Sequence, residues 1–330
     1  MSPSARRIVF MGTPEFAVEP LKTLVASGWE IAAVVTAPDK PAGRGKQLRS
    51  PAVKQYAQDH LNCPILQPEK LRDPAFIQTL ESLGAPFFVV VAFRMLPEVV
   101  WTIPEKGTIN LHASLLPHYR GAAPINWCII NGEKETGLTT FLINQEIDTG
   151  RILLQEKVEI ADDETAGSLH DRMMLLGGPL LAKTLEQLNR GTVEPVDQEK
   201  FNIPADQLKG APRIYREDCA IDWNQSCETI YNKVRGLNPY PAAHTFLQCP
   251  GQQVIQFKIY EVTPMDACEG SVPGTILSDR KKVLRIVCGD GCLEVGLLQP
   301  AGKKIMSPGE YLRGLHLDIN DCRMVQDPAS

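Results

Sequence analysis

The stretch "FFVVVAF", Phe87–Phe93, is apolar at every position. A strand with one wet face alternates apolar and polar residues; a strand of a parallel sheet covered on both faces does not. The run is too short for a buried helix and rich in β-branched valine, so it reads as a buried parallel strand. Upstream, strand and helix signals alternate. "RRIVFMG" (Arg6–Gly12) and "IAAVV" (Ile31–Val35) read as strands, separated by "PEFAVEPLKTLVASG" with its helical spacing and its stop at Gly28. "SPAVKQYAQDH" (Ser50–His60) starts with a capping serine and a proline at the first helical position. "CPILQP" is a short strand and "DPAFIQTLESLG" (Asp73–Gly84) another capped helix.

Downstream, "GTINLH" (Gly107–His112) is the next strand and "APINWCIING" a helix. "TGLTTFLIN" and "RILLQEKVEI" read as strands, and Thr165–Asn189 as a long helix. This repetition predicts an α/β domain over residues 1–190, built on a doubly wound, mostly parallel sheet. Residues 191–212 carry Gly191, Pro195, Pro204 and Gly210 among scattered charges and read as a linker. From 213 to 330 there is one helical stretch, "SCETIYNKVRGL", among short strand signals such as "QVIQFKIYEV", "KVLRIVC" and "GCLEVGLLQ". That pattern predicts a smaller β-barrel.

Composition bounds the function. The chain has 330 residues, 43% of them apolar and 22% charged, as expected of a globular protein of about two domains. No apolar run is long enough to span a membrane. The short basic start leads straight into a strand rather than a signal peptide, so a cytoplasmic location is expected. Nine cysteines, an odd number without paired spacing, fit reduced thiols better than a disulfide framework. "CGDGC" (Cys288–Cys292) lacks two further ligands and reads as a hairpin turn, so no metal is expected. The net charge of −5 makes nucleic-acid binding a matter of local patches.

Ligands of doubly wound sheets lie beyond the carboxyl ends of the strands. The first such turn, "MGTPEF", has one glycine and not the dinucleotide fingerprint. The turn after "GTINLH" is richer. Asn110 and His112 are two apart on a strand and share a face. An amide can donate to a developing oxyanion, and an imidazole exchanges protons near neutral pH. Equally, Asn110 could cap a turn and His112 bond a carbonyl. Asp148, in "IDTGR", reads first as a turn residue, but it precedes an apolar strand and can fold back to the same edge. An Asn/His/Asp trio can support acyl transfer to an amine supplied by the substrate, with no nucleophilic Ser or Cys. The loop "SLLPHYRGAAP" then offers an apolar wall.

These residues resemble the folate-dependent formyltransferases. The matching segments are "FMGTPEFAV", "PDKPAGRGKQLRSPAVK", "INLHASLLPHYRGAAPI", "DTG", "IDW", "NPYPAA" and "PAGKKIMSPGEYL", in order along nearly the whole chain. "PAGRGK" and "PAGKK" narrow the likeness to the branch that acts on charged tRNA. The resemblance implies that 10-formyltetrahydrofolate, a co-substrate, gives its formyl group to the α-amine of methionyl initiator tRNA. It implies Asn110, His112 and Asp148 as catalytic residues, Ser114, Leu115, Leu116 and Pro117 as the folate segment, a Rossmann-like first domain and an OB-like barrel that helps to hold tRNA. It implies no metal, no membrane and no obligate protein partner, and a monomer is expected. Two positions depart from the family: His118 stands where arginine is common, and Phe93-Arg94 where many relatives have Tyr-Gly.

The stretch "DKPAGRGKQLRSPAVK" concentrates positive charge after the second strand. A basic loop at that edge suits the acceptor end of an RNA, where unpaired bases can be splayed; it also reads as an ordinary solvated loop. With the resemblance, Arg44, Lys46 and Arg49 are expected to contact tRNA. Lys281–Lys282 and Lys303–Lys304 are further phosphate contacts to consider. Two other functions compete. One keeps the chemistry but uses a sugar amine or another small amine as acceptor, and the other is a non-catalytic RNA-binding module.

Overall fold

The computed structural model describes residues 6–42, 47–265, 272–315 and 317–326. The chain forms two compact units. The first comprises Met1–Gly121, Glu135–Glu159 and His170–Gly210; the second comprises Ala122–Lys134, Ile160–Leu169 and Ala211–Ser330.

In chain order the elements up to the long helix are β1 (Arg7–Gly12), α1 (Val18–Ala26), β2 (Glu30–Val35), β3 (Lys40–Ala42), β4 (Gln47–Arg49), α2 (Ala52–His60), β5 (Ile65–Leu66), α3 (Pro74–Ser82), β6 (Phe87–Val91), α4 (Glu98–Trp101), β7 (Thr108–His112), β8 (Arg120–Gly121), α5 (Pro124–Ile130), β9 (Glu135–Leu142), β10 (Ile152–Glu159) and α6 (Ala166–Arg190). The first unit holds a seven-stranded sheet in the order β10-β9-β7-β6-β1-β2-β5. Its central strands are parallel; β9 runs antiparallel to β7, and β10 to β9. This is the expected doubly wound, mostly parallel sheet.

Both faces are covered, which is why β6 is buried at every position. Val9, Met11, Phe88 and Val90 pack with Phe76 and Leu80 of α3 and Val100 of α4. Helix α6 covers the other face. There Thr140 and Thr184 share a hydroxyl–hydroxyl bond of 2.8 Å. Gly177 lets α6 approach, because a Cβ there would come within 2.7 Å of a Leu111 methyl.

The second unit contains α5, β11 (Gly210–Ala211, whose first residue belongs to the first unit), α7 (Cys227–Leu237), β12 (Ala243–Gln248), β13 (Ile255–Met265), β14 (Ile276–Ser278), β15 (Leu284–Val287), β16 (Cys292–Pro300), α8 (Pro308–Arg313) and β17 (Arg323–Val325). Ser226 caps α7 by accepting from the Thr229 amide. The strands form one antiparallel sheet, β14-β15-β16-β13-β12-β17. Met324 N–H donates to Gly274 C=O at 2.8 Å, which brings β17 back to the start of β14 and nearly closes a barrel. Phe257, Ile259, Leu284, Ile286, Leu293 and Leu298 fill it. "CGDGC" is the β15–β16 turn, as expected: Cys288 N–H donates to Gly291 C=O.

The cysteine reading needs correction. Cys249 and Cys322 form a disulfide across 73 residues of chain, and Cys292 is also disulfide-bonded. The register explains the first: β12 pairs antiparallel with β17, Phe246 against Val325 and Gln248 against Arg323, so the next position opposes Cys249 to Cys322. Spacing along the chain carries no trace of that pairing. Among the described residues, Cys63, Cys128, Cys219, Cys227 and Cys288 remain thiols, and no group of three or more His, Cys, Asp or Glu is arranged to hold a metal. Among the described residues, no helix is long and apolar enough to cross a membrane.

Candidate active site

Strand β7 ends at His112 in the middle of the sheet, between β6 and β9. The register sets Asn110 beside Val90 and Phe141, and His112 beside Thr139. Leu111 and Thr140 face α6, so Asn110 and His112 point together to the opposite face. Asn110 is half-buried, and among the described residues its amide makes no side-chain hydrogen bond.

Beyond β7 the chain turns back through Ser114–His118, and Thr139 organises the turn. Its Oγ1 donates to Ser114 C=O at 2.6 Å and accepts from the Leu116 amide at 3.1 Å. Gln155 Nε2 adds bonds to Leu116 C=O at 2.8 Å and Thr139 Oγ1 at 3.0 Å. Ser114 Oγ closes the turn onto His118 C=O at 2.7 Å. The returning chain places Tyr119 C=O 2.8 Å from His112 Nε2. A carbonyl oxygen only accepts, so Nε2 carries the proton and Nδ1 of the neutral ring keeps its lone pair. Nδ1 lies 3.8 Å from Asp148 Oδ2, with both side chains largely buried, 8% and 12% exposed.

Asp148 reaches this place through an unusual backbone. Its φ is 54° and that of Tyr119 is 59°, the left-handed region that costs a residue with a Cβ about 1 kcal/mol or more. The Asp148 carboxylate accepts from the Gly121 amide at 2.9 Å. Two residues on, a Cβ at position 150 would lie 1.7 Å from Leu142 C=O, so only glycine lets the loop pass.

The three expected catalytic residues therefore lie together at the carboxyl end of β7, Asn110 and His112 on the strand and Asp148 on the loop that reaches it. The four expected folate residues lie beside it: Ser114, Leu116 and Pro117 are buried and Leu115 half-buried. Leu116 packs against Phe141 and Ile152. His118 Nδ1 accepts from the Lys209 amide at 3.4 Å, so the ring has a backbone partner. The Arg94 guanidinium lies over the Phe93 ring and donates to the carbonyls of Pro68 and Glu69, and burial lowers its pKa. A cleft of about 580 Å³ opens beyond the ends of β1, β2 and β6, lined by Thr13, Pro14, Pro38, Lys40, Glu69 and Arg94 among others.

Of the expected tRNA contacts, Arg44 and Lys46 lie outside the described residues. Arg49 is exposed on β4, opposite Lys40 on β3, so the basic stretch is anchored by a short hairpin. Lys54 is already paired: its ammonium donates to Asp39 at 2.7 Å and, with Gln67, holds that carboxyl below the usual range. Sequence reasoning passed over the polar frame of Thr139, Gln155 and Gln198. Gln198 Nε2 donates to the carbonyls of Asp148 and Gly150, both at 2.8 Å.

Such a frame holds an amide donor, an imidazole of defined tautomer and a carboxylate around one open edge, a set suited to acyl transfer between amines. The chain belongs to the formyl transferase family: the family model described as "Formyl transferase" matches residues 6–185. Its companion, "Formyl transferase, C-terminal domain", matches residues 213–316. Among individual relatives, the chain is 50% identical over 311 residues to a methionyl-tRNA formyltransferase of Bacteroides fragilis, covering 94% of this chain and 95% of that one. It is 46% identical over 309 residues to a methionyl-tRNA formyltransferase of Flavobacterium johnsoniae, covering 94% and 96%. Solved structures of similar fold include HypX from Aquifex aeolicus in complex with tetrahydrofolic acid, with a TM-score of 0.63 and 18% identity. That match covers 96% of this chain and 49% of HypX, so the chain spans about half the length of HypX. WlaRD, a sugar 3N-formyl transferase, gives a TM-score of 0.61 at 18% identity, covering 90% and 98%.

Proposed function

We propose that this chain transfers the formyl group of 10-formyltetrahydrofolate to the free α-amine of methionyl initiator tRNA, in the cytoplasm. The observation that carries the reading is the convergence of Asn110, His112 and Asp148 in a chain half identical, over nearly its full length, to proteins of that name. In this reading the neutral amine attacks the formyl carbon. The Asn110 amide, which makes no side-chain hydrogen bond among the described residues, donates to the oxyanion that forms. His112 Nδ1 takes the proton leaving the amine, and the Asp148 carboxylate stabilises the resulting imidazolium. The bond from the formyl carbon to the folate N10 breaks, and the proton passes to that nitrogen. Atoms balance: a formyl group and a proton exchange places between two amines.

The Ser114–Pro117 segment is proposed to border the folate, through its backbone and the half-buried Leu115. Arg44, Lys46 and Arg49 are proposed to meet the acceptor end, and the barrel unit to hold the tRNA body through exposed cations such as Lys281, Lys282, Lys303 and Lys304. The test offers 10-formyltetrahydrofolate together with charged initiator tRNA, charged elongator tRNA or a nucleotide-linked amino sugar. Formylation of the initiator species alone is the expected result, and formylation of the sugar with none of either tRNA overturns the reading.

A further inference from the structure

We propose that Gln198 is a positioning residue that couples the two strained segments flanking His112; the inference rests on the function proposed above. Val196 exchanges both backbone hydrogen bonds with Ile152, N–H to C=O at 2.8 Å in each direction. This bridge adds the segment to the free edge of β10 and starts a short 3-10 turn at Gln198, directly beside the loop that carries Asp148.

Gln198 is only 5% exposed, and every hydrogen-bonding edge of its amide is used. Nε2 gives one hydrogen to Asp148 C=O and the other to Gly150 C=O. Oε1 accepts from Arg120 Nε at 3.1 Å and Nη2 at 2.7 Å. Arg120 lies between the two residues that define the site: Tyr119, whose carbonyl accepts from His112 Nε2, and Gly121, whose amide donates to Asp148 Oδ2. One side chain thus ties segment 119–121 to segment 148–150. The first sets the imidazole tautomer and the second sets where the carboxylate lies. Tyr119 and Asp148 both hold left-handed backbone, which persists only where surrounding bonds over-determine it. No other residue type reproduces this set: asparagine is one methylene shorter, and glutamate has the length but no hydrogens for the two carbonyls.

The test compares Gln198→Leu, which removes all four bonds, with Gln198→Glu, which keeps an acceptor for Arg120 and loses only the two donors. Two readouts are used. Nitrogen-15 NMR of the full chain reports which ring nitrogen of neutral His112 carries the proton, and steady-state kinetics with charged initiator tRNA separate kcat from KM. The wild type is expected to show the Nε2–H tautomer alone. Both variants are expected to populate the other tautomer and to lose about tenfold or more in kcat with KM for either substrate little changed, since misplacement of the order of 1 Å can cost ~10²-fold. If Gln198→Leu does not fold, the isosteric Gln198→Glu decides the matter. A Gln198→Glu enzyme with wild-type kcat and the Nε2–H tautomer alone overturns the inference. So does a loss of thermal stability with neither readout moved. A wild type that does not formylate charged tRNA overturns the proposed function instead, and the tautomer comparison still stands because it needs no acceptor.

Discussion

Replacing Asp148 with asparagine isolates one charge. The side chain keeps its length and an oxygen that can accept from the Gly121 amide, 2.9 Å away in the wild type, so the loop retains its shape. What disappears is the negative charge 3.8 Å from His112 Nδ1. At an effective dielectric of about 20 two unit charges at that separation attract by ~4 kcal/mol. In the proposed reaction the imidazole gains its positive charge by taking the amine's proton, so this attraction would act on the transition state and much less on the ground state. Both groups are largely shielded from water. Allowing for reorganisation around the neutral amide, ~2–4 kcal/mol of the attraction is lost, which is about 30- to 1,000-fold in kcat. The assay is formylation of charged initiator tRNA at saturating folate donor, with KM for each substrate measured alongside. A kcat within about threefold of wild type, or a defect carried wholly by KM, would refute the reasoning, because uniform binding is not what this carboxylate is argued to supply.

Gly150→Ala is expected to destabilise the first unit by about 1–3 kcal/mol and to lower kcat as well, since a Cβ 1.7 Å from Leu142 C=O forces the Asp148 loop off the sheet edge; thermal melting and the formylation assay check both effects. Asp279 accepts from the amides of Lys282, Val283 and Lys281, which push its pKa down to about 2. A folded pKa below the unfolded one gives stability that is present above the ordinary carboxylate range and is lost as pH falls toward 2. Wild type should therefore melt above Asp279→Asn at neutral pH, with the gap closing between about pH 4 and 2; a gap that does not change with pH refutes the assignment.

The fold was legible in the sequence wherever a periodic signal ran for several residues. "FFVVVAF" declared a doubly covered strand, and "GTINLH" set Asn110 and His112 on one face at a strand end. Elements without a period were not legible. Lys40–Ala42 and Gln47–Arg49 are strands too short to show alternation, so an anchored hairpin looked like plain loop. Gln198 falls in a proline- and glycine-rich stretch that reads as a linker, fifty residues beyond Asp148, and nothing local announces that Val196 adds itself to the edge of β10. The Cys249–Cys322 pair was hidden for the same reason, since its evidence is a strand register and not a spacing. Asp148 was visible only as a polar residue before a strand; its approach to His112 depends on a left-handed backbone, which carries a cost for any residue with a Cβ although aspartate tolerates it better than most.

That last conflict explains how the site is built. A β-strand can aim Asn110 and His112, but it cannot also bring an acceptor to one imidazole nitrogen and a carboxylate to the other, because those groups must come from chain that has left the sheet. Both returning segments therefore bend where a side chain disfavours bending, at Tyr119 and Asp148. Each bend places one group on His112, the Tyr119 carbonyl at Nε2 and the Asp148 carboxylate near Nδ1. Strain of about 1–3 kcal/mol per residue has to be offset nearby. The offset is visible in the fully used amide of Gln198, the Gly121–Asp148 bond and the hydroxyl of Thr139. The polar residues that looked incidental in the sequence hold two unfavourable turns in place, and those turns set the protonation geometry of the histidine.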